Sequence, residues 1–166
     1  MTSMTPDEDA NRARRRRRGV VTIKESLREL SIQMSLLNHQ VGTHAGLKDI
    51  DLYCLDLVNR HGPLSPSALA RRAGLHPATM TGVLDRLERG GWVARRRDPD
   101  ALDRRAVAVH PLLTRNPELF ELYSGMNTSM DQICADYTDE ELDLLADFLH
   151  RTIEAGQGAT GELAND

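Results

Sequence analysis

Residues 65–110 read SPSALARRAGLHPATMTGVLDRLERGGWVARRRDPDALDRRAVAVH. Ser65 is a good N-cap and Pro66 fits the first helical turn, so a short helix starts here. Leu69 and Ala70 give it a small apolar face, and Gly74 closes it, leaving Leu75 free to enter a core. The start signal then repeats, with His76 at the cap position and Pro77 at the first helical position. Met80, Val83, Leu84 and Leu87 recur at helical spacing and form a buried stripe, and Gly90-Gly91 stop the helix. Two short helices joined by a tight glycine-containing turn make a helix-turn-helix.

Trp92 to Arg96 and Arg105 to His110 alternate and are β-rich at their apolar positions, and the intervening DPDAL carries turn residues. The pair reads as a hairpin, and a helix-turn-helix followed at once by a hairpin is the order of a winged helix. The wing carries Arg95, Arg96, Arg97, Arg104 and Arg105. DNA is a dense line of phosphate charge, and guanidinium groups neutralise it while releasing counterions. A narrow minor groove has an intensified negative potential that holds an inserted arginine. Asp103, two residues before Arg105, can brace that arginine by a paired hydrogen bond. So much charge at a hairpin tip points to duplex DNA.

The flanks are helical. Leu27, Leu30, Met34, Leu37 and Val41 share one face of a helix over 22–46. That helix is longer than a small core needs and is expected to pack on a second chain. Residues 48–60 form a helix richer in apolar side chains, hence buried, and His61-Gly62-Pro63 ends it. After the wing, Asn116-Pro117 starts a long helix reaching about Asp136, with Leu119, Leu122, Met126, Met130 and Ile133 at helical intervals. Thr138 and Glu141 make a capping box for a last helix whose stripe is Leu142, Leu145, Phe148, Leu149 and Ile153. The fold class expected is mainly α with a small β-hairpin wing, a winged helix-turn-helix over 47–112 between dimerisation helices over 22–46 and 113–156. Residues 1–21, with NRARRRRR and no hydrophobic periodicity, read as a disordered basic arm, and 157–166 as a flexible tail.

Charge is segregated along the 166 residues. Residues 63–110 carry nine basic and five acidic side chains, whereas 111–166 carry two and twelve, within a formal net charge of −4. A basic middle and an acidic end let one face meet a polyanion while the other stays in water. No apolar run is long enough for a membrane span, and none follows the arginines as a secretory signal requires, so a cytoplasmic protein is expected. Cys54 and Cys134 lack metal-type spacing, and the histidines (His39, His44, His61, His110 and His150 beside His76) form no ligand pattern, so neither metal nor cofactor is expected. No phosphate loop, dinucleotide fingerprint or nucleophile elbow is present, which speaks against an enzyme. The alternative is a winged helix used only for protein–protein contact, which would not need an arginine-rich wing.

From about Leu47 to Pro111, through GPLSPSALARRAGLHPATMTGVLDRLERGGWVARRRDPDALDRRAVAV, the sequence resembles the MarR family of bacterial transcription regulators. The helix-turn-helix, the Gly-Trp-Val strand start and the Arg-Asp-Pro…Asp-Arg-Arg wing carry the likeness. The resemblance implies an obligate homodimer with intertwined terminal helices, two winged helices on the half-sites of a pseudo-palindrome, and release by a small ligand or oxidant. It assigns the wing motif to Asp103 and Arg105, phosphate contact to Ser65 and Ser67, and the major-groove face to His76, Pro77, Ala78, Thr79, Thr81 and Gly82, with Arg86 one turn further on. Met34, Tyr53 and Cys54 are candidates to line a ligand cavity between the lobes, the alternative being that they are plain core. Ala78 and Gly82 stand where the family often has Ser and Arg, so base reading leans on Thr79, Thr81 and His76.

Overall fold

The computed structural model describes residues 6–97 and 107–163. In chain order they form α1 (Pro6–Ala45), α2 (Asp49–His61), α3 (Pro66–Ala73), α4 (Pro77–Arg89), β1 (Val93–Arg97), β2 (Val107–Pro111), a 3-10 turn (Leu113–Arg115), α5 (Asn116–Cys134) and α6 (Asp139–Leu163). The chain divides into two compact units, Met1–Leu119 and Phe120–Asp166.

Local chemistry explains the boundaries in the first unit. Ser65 Oγ accepts from the Ala68 N–H at 3.1 Å, and Gly74 ends α3 in the left-handed region, at φ 64°, where a side chain would be strained. His76 Nδ1 accepts from the Ala78 N–H at 3.3 Å to cap α4. Gly90 leaves α4 with ordinary helical φ and is a glycine for another reason. A Cβ built there would stand 2.8 Å from Cδ1 of Trp92, so only the absence of a side chain lets the indole close over the helix end. β1 and β2 pair antiparallel, with Arg95 opposite Val109 and Arg97 opposite Val107.

Among the described residues the core lies in this winged helix and the last turns of α1. Leu55 and Val58 of α2, Leu69 of α3, and Val83, Leu84 and Leu87 of α4 are all at most 1% exposed. Trp92, Val93 and Val109 close it from the hairpin side, and Val41 and Ala45 contribute from the last turns of α1. Val41 therefore belongs to this core, whereas Leu27, Leu30, Met34 and Leu37 earlier on α1 remain partly or fully open. One charged residue, Asp51, is buried with the core at 2% exposure.

The second unit consists of α5 beyond Leu119 and α6, and neither helix has a buried residue. The capping box forms: Glu141 Oε2 accepts from the Thr138 N–H at 2.9 Å, and Thr138 Oγ1 from the Glu141 N–H at 3.3 Å. Phe120, Leu144, Leu145, Phe148, Leu149 and Ile153 are between 38% and 69% exposed. No helix among the described residues is long and apolar enough to cross a membrane.

Two terminal expectations need correction. Residues 6–21, read as a disordered arm, are the start of the 40-residue α1. Hydrophobic periodicity tests for burial, and residues 7–21 are exposed. Its helicity rests on arginine and alanine, both good helix formers, and on Asp7, Glu8 and Asp9 in the first turn opposing the helix dipole. Likewise α6 runs to Leu163, through residues expected to be a flexible tail. Gly156, Gly158 and Gly161 weaken such a helix by about 1 kcal/mol each, but elongation from an established helix needs no new nucleus.

Candidate nucleic-acid interface

α4 has two opposite faces. Met80, Val83, Leu84 and Leu87 are buried, while His76, Pro77, Ala78, Thr79 and Thr81 are exposed and Gly82 is half-buried. The exposed face is polar in a defined way. Thr81 Oγ1 donates to the Pro77 carbonyl at 3.1 Å, which leaves its oxygen as an acceptor. His76 spends Nδ1 on the helix cap, so in the neutral ring the proton sits on Nε2, an outward donor. Thr79 is exposed and offers either role. Ser65 and Ser67, both exposed at the start of α3, have hydroxyl oxygens 3.1 Å apart, at a helix N-terminus whose Ala68 and Leu69 N–H groups are taken by Ser65.

The arginines fall into two sets. Arg96 and Arg97 are exposed on β1. Arg95 is not available in the same way: its Nε donates to Glu88 Oε2 at 2.9 Å and its Nη2 to Asp85 Oδ1, while its backbone N–H donates to Glu88 Oε1 at 3.0 Å. It ties the wing to the recognition helix, with its guanidinium engaged by two carboxylates where those of Arg96 and Arg97 stand exposed. Arg86 is likewise engaged, with Nε and Nη2 donating to Asp51 Oδ2 and Oδ1 at 2.8 and 2.6 Å. Both guanidiniums are held more firmly protonated by these carboxylates. Asp103, Arg104 and Arg105 lie outside the described residues.

At the wing root, the Arg115 guanidinium lies over the Trp92 ring, 3.8 Å from its centroid, held by Glu118 and by the Gly90 carbonyl at 2.7 Å. Leu64 and Val109 exchange backbone hydrogen bonds of 3.2 and 2.8 Å, joining the segment before α3 to β2. The hairpin is thus fixed to α4 through Arg95 and to the rest of the domain through Trp92 and Leu64.

Of the candidate ligand residues, Tyr53 is exposed and Met34 half-buried, but Cys54 is fully buried. It is a core side chain and lines no open cavity. Burial, then the neighbouring Asp51 charge, pushes the Cys54 thiol up from 9.0 to about 11. A raised acid pKa means the folded state keeps a proton that the unfolded chain loses, so stability is full below pH 9 and falls as pH rises towards 11. Thermal melts of the parent and Cys54→Ala across that range are expected to converge as the pH rises. Glu88 is shifted the other way, lowered by the Arg95 N–H and then by the Arg95 guanidinium. The tie between wing and helix is therefore present at neutral pH and is lost as pH falls below the ordinary glutamate range.

Sequence reasoning missed Asp51, Glu88 and Arg115. Asp51 did leave a signal: it shares a helical face with Leu55 and Val58, where a charge demands a partner.

The MarR family model matches residues 51–107, which span α2 to the first residue of β2. The chain is 35% identical over 121 residues to the uncharacterized HTH-type transcriptional regulator YcgE of Bacillus subtilis (strain 168), covering 72% of this chain and 77% of that protein. It is 33% identical over 86 residues to the HTH-type transcriptional repressor YetL of the same organism, covering 52% of this chain and half of the relative. Among solved structures, a MarR family protein from Bacillus stearothermophilus superposes with a TM-score of 0.65 at 20% identity, over 85% of this chain and 97% of that one. The order of elements, the two-faced α4 and the hairpin agree with these likenesses, and the chain belongs to the MarR family of DNA-binding transcriptional regulators.

Proposed function

We propose that this regulator is a homodimeric repressor of a pseudo-palindromic operator, with α4 in the major groove and the wing tip in the adjacent minor groove. The observation that carries the reading is the two-faced α4: one side seals the core, and the other leaves Pro77, Ala78, Thr79 and Thr81 open. In this reading Arg96, Arg97, Arg104 and Arg105 supply the charge beside it, with Arg105 in the minor groove. The uncovered apolar faces of α1 and α6 support the second copy, through Leu27, Leu30, Met34, Leu37, Leu142, Leu145, Phe148, Leu149 and Ile153. Repression is supported by the name of the relative YetL. An effector would act by changing the separation of the two winged helices, and Tyr53 and Met34 are the side chains a small apolar ligand could reach.

Selection from random duplex DNA tests the reading. Bound fragments should share two half-sites about 34–36 Å apart, one turn of the duplex, and sedimentation at micromolar concentration should give a dimer. A monomer, or no enrichment of any sequence, would refute it. With a selected duplex in hand, Arg104→Ala/Arg105→Ala is expected to weaken binding and to flatten the log affinity against log salt line by about two units per wing if both meet phosphate. An unchanged slope would favour a winged helix that serves protein–protein contact.

A further inference from the structure

The face of α1 that carries Leu37, Met34, Leu30 and Leu27 does not stop at Leu27. Steps of four and three take it back through Ile23 and Val20, and two further steps of four reach Arg16 and Arg12. Val20, Ile23 and Leu30 are 43%, 45% and 47% exposed, and both arginines are exposed. One strip of helix is thus apolar from Leu37 to Val20 and cationic at its far end. Among the described residues neither arginine is paired with a carboxylate. α6 carries the opposite charge beside its own stripe. Asp139, Asp143 and Asp147 follow at steps of four and Glu154 comes seven later, so the four exposed carboxylates align along one flank of the helix. Arg151 and His150 reach Asp147 and Glu154 at 3.5 and 3.3 Å across open surface, which leaves the file net negative.

We propose that Arg12 and Arg16 form an ionic end to the dimer face, pairing with the acidic flank of α6 in a second copy of this chain. The proposal rests on the dimer reading above and adds a charge-specific contact to it. A helix that lays Leu37 to Val20 on a second copy carries Arg16 and Arg12 along the same line, so whatever covers the stripe meets the arginines too. The face from Arg12 to Leu37 runs about 37 Å, which is also the length of the 25-residue α6. Residues 111–166 hold twelve acidic side chains against two basic ones, so the chain itself supplies the complementary surface. Arg12 and Arg16, and likewise Asp139, Asp143 and Asp147, repel one another a turn apart within their own helices. Setting one file against the other replaces both repulsions by attraction. It also penalises a slipped register, which would put guanidinium groups against leucines.

The test is sedimentation of the full-length protein from low to high salt. The parent dimer is expected to loosen as salt rises, because exposed ion pairs are screened. Arg12→Gln/Arg16→Gln keeps good helix formers outside the buried core, so the cooperative melt of the winged helix should stay. Two-fold symmetry repeats each contact, and the dimer dissociation constant of this variant should rise about tenfold at low salt, with its salt dependence flattened. Parent and variant should converge at high salt. Asp143→Lys/Asp147→Lys should loosen the dimer in the same way, as should Arg12→Glu/Arg16→Glu. Combining these two reversals should restore dimerisation at low salt, a rescue that a helix merely weakened by substitution would not show. A parent dimer indifferent to salt, with arginine variants that associate like the parent, overturns the proposal. So do arginine variants that dimerise normally but bind a selected operator less tightly, since the arginines would then belong to DNA. A parent that is monomeric at every salt concentration overturns the dimer reading itself, and this contact with it.

Discussion

Removing residues 116–166 is expected to leave a folded monomer whose operator affinity is lower by about a hundred- to ten-thousandfold. The buried core of the described residues ends at Val109, so the truncated chain keeps it entire and should still melt cooperatively. What it loses is α5 and α6, none of whose residues is fully buried in the single chain, although Leu119, Leu122 and Met126 are half-buried. In the dimer reading these helices hold two winged helices together, so that one bound half-site makes the second binding event intramolecular. Losing that linkage removes the effective-concentration gain without touching any contact to DNA. Sedimentation and binding titrations on the same preparation decide the matter. A truncated chain that remains dimeric would sink the assignment of α5 and α6.

Trp92→Ala is expected to lower unfolding stability by about 3–5 kcal/mol, a large part of the roughly 5–15 kcal/mol that holds a typical domain. Trp92 is 1% exposed, fills the space that Gly90 leaves bare, and underlies the Arg115 guanidinium. Alanine removes the ring and leaves both Gly90 and Arg115 facing a void that the surrounding helices cannot fill. The melting midpoint should fall on the order of 10–20 °C, read by circular dichroism because the chain's single tryptophan is the residue replaced. Trp92→Phe should retain much of the loss-making packing and fall only part of the way. A melt of Trp92→Ala within a few degrees of the parent would refute the role given to the indole.

Short-range chemistry made the winged helix legible. Ser65 and Gly74 around α3, His76-Pro77 opening α4 and the Thr138–Glu141 box opening α6 each act within a few residues, so their meaning survives without the fold. The stripe through Met80, Val83 and Leu87 was equally plain, because 3.6-residue periodicity records burial directly. Periodicity failed where burial was absent: the arginine stretch in α1 and the glycines of α6 are helical without an apolar face. Pairings across the fold were also hidden. Arg86 and Asp51 are 35 positions apart, and nothing in a run of arginines tells which one will close on a carboxylate. Arg95 and Arg96 are neighbours of the same type, yet β-strand alternation turns the first towards Glu88 and Asp85 and the second to solvent.

The Leu64–Val109 exchange and the Arg95 N–H bond to Glu88 have a joint effect on how the molecule behaves at high concentration. A two-stranded ribbon ordinarily offers a row of idle amides and carbonyls along either rim, a template on which foreign strands can grow. Here one rim is stoppered by backbone from the segment before α3 and the other by a carboxylate from α4. A crowded solution therefore finds the seam at the ribbon's root interrupted on both rims, at Arg95 and at Val109.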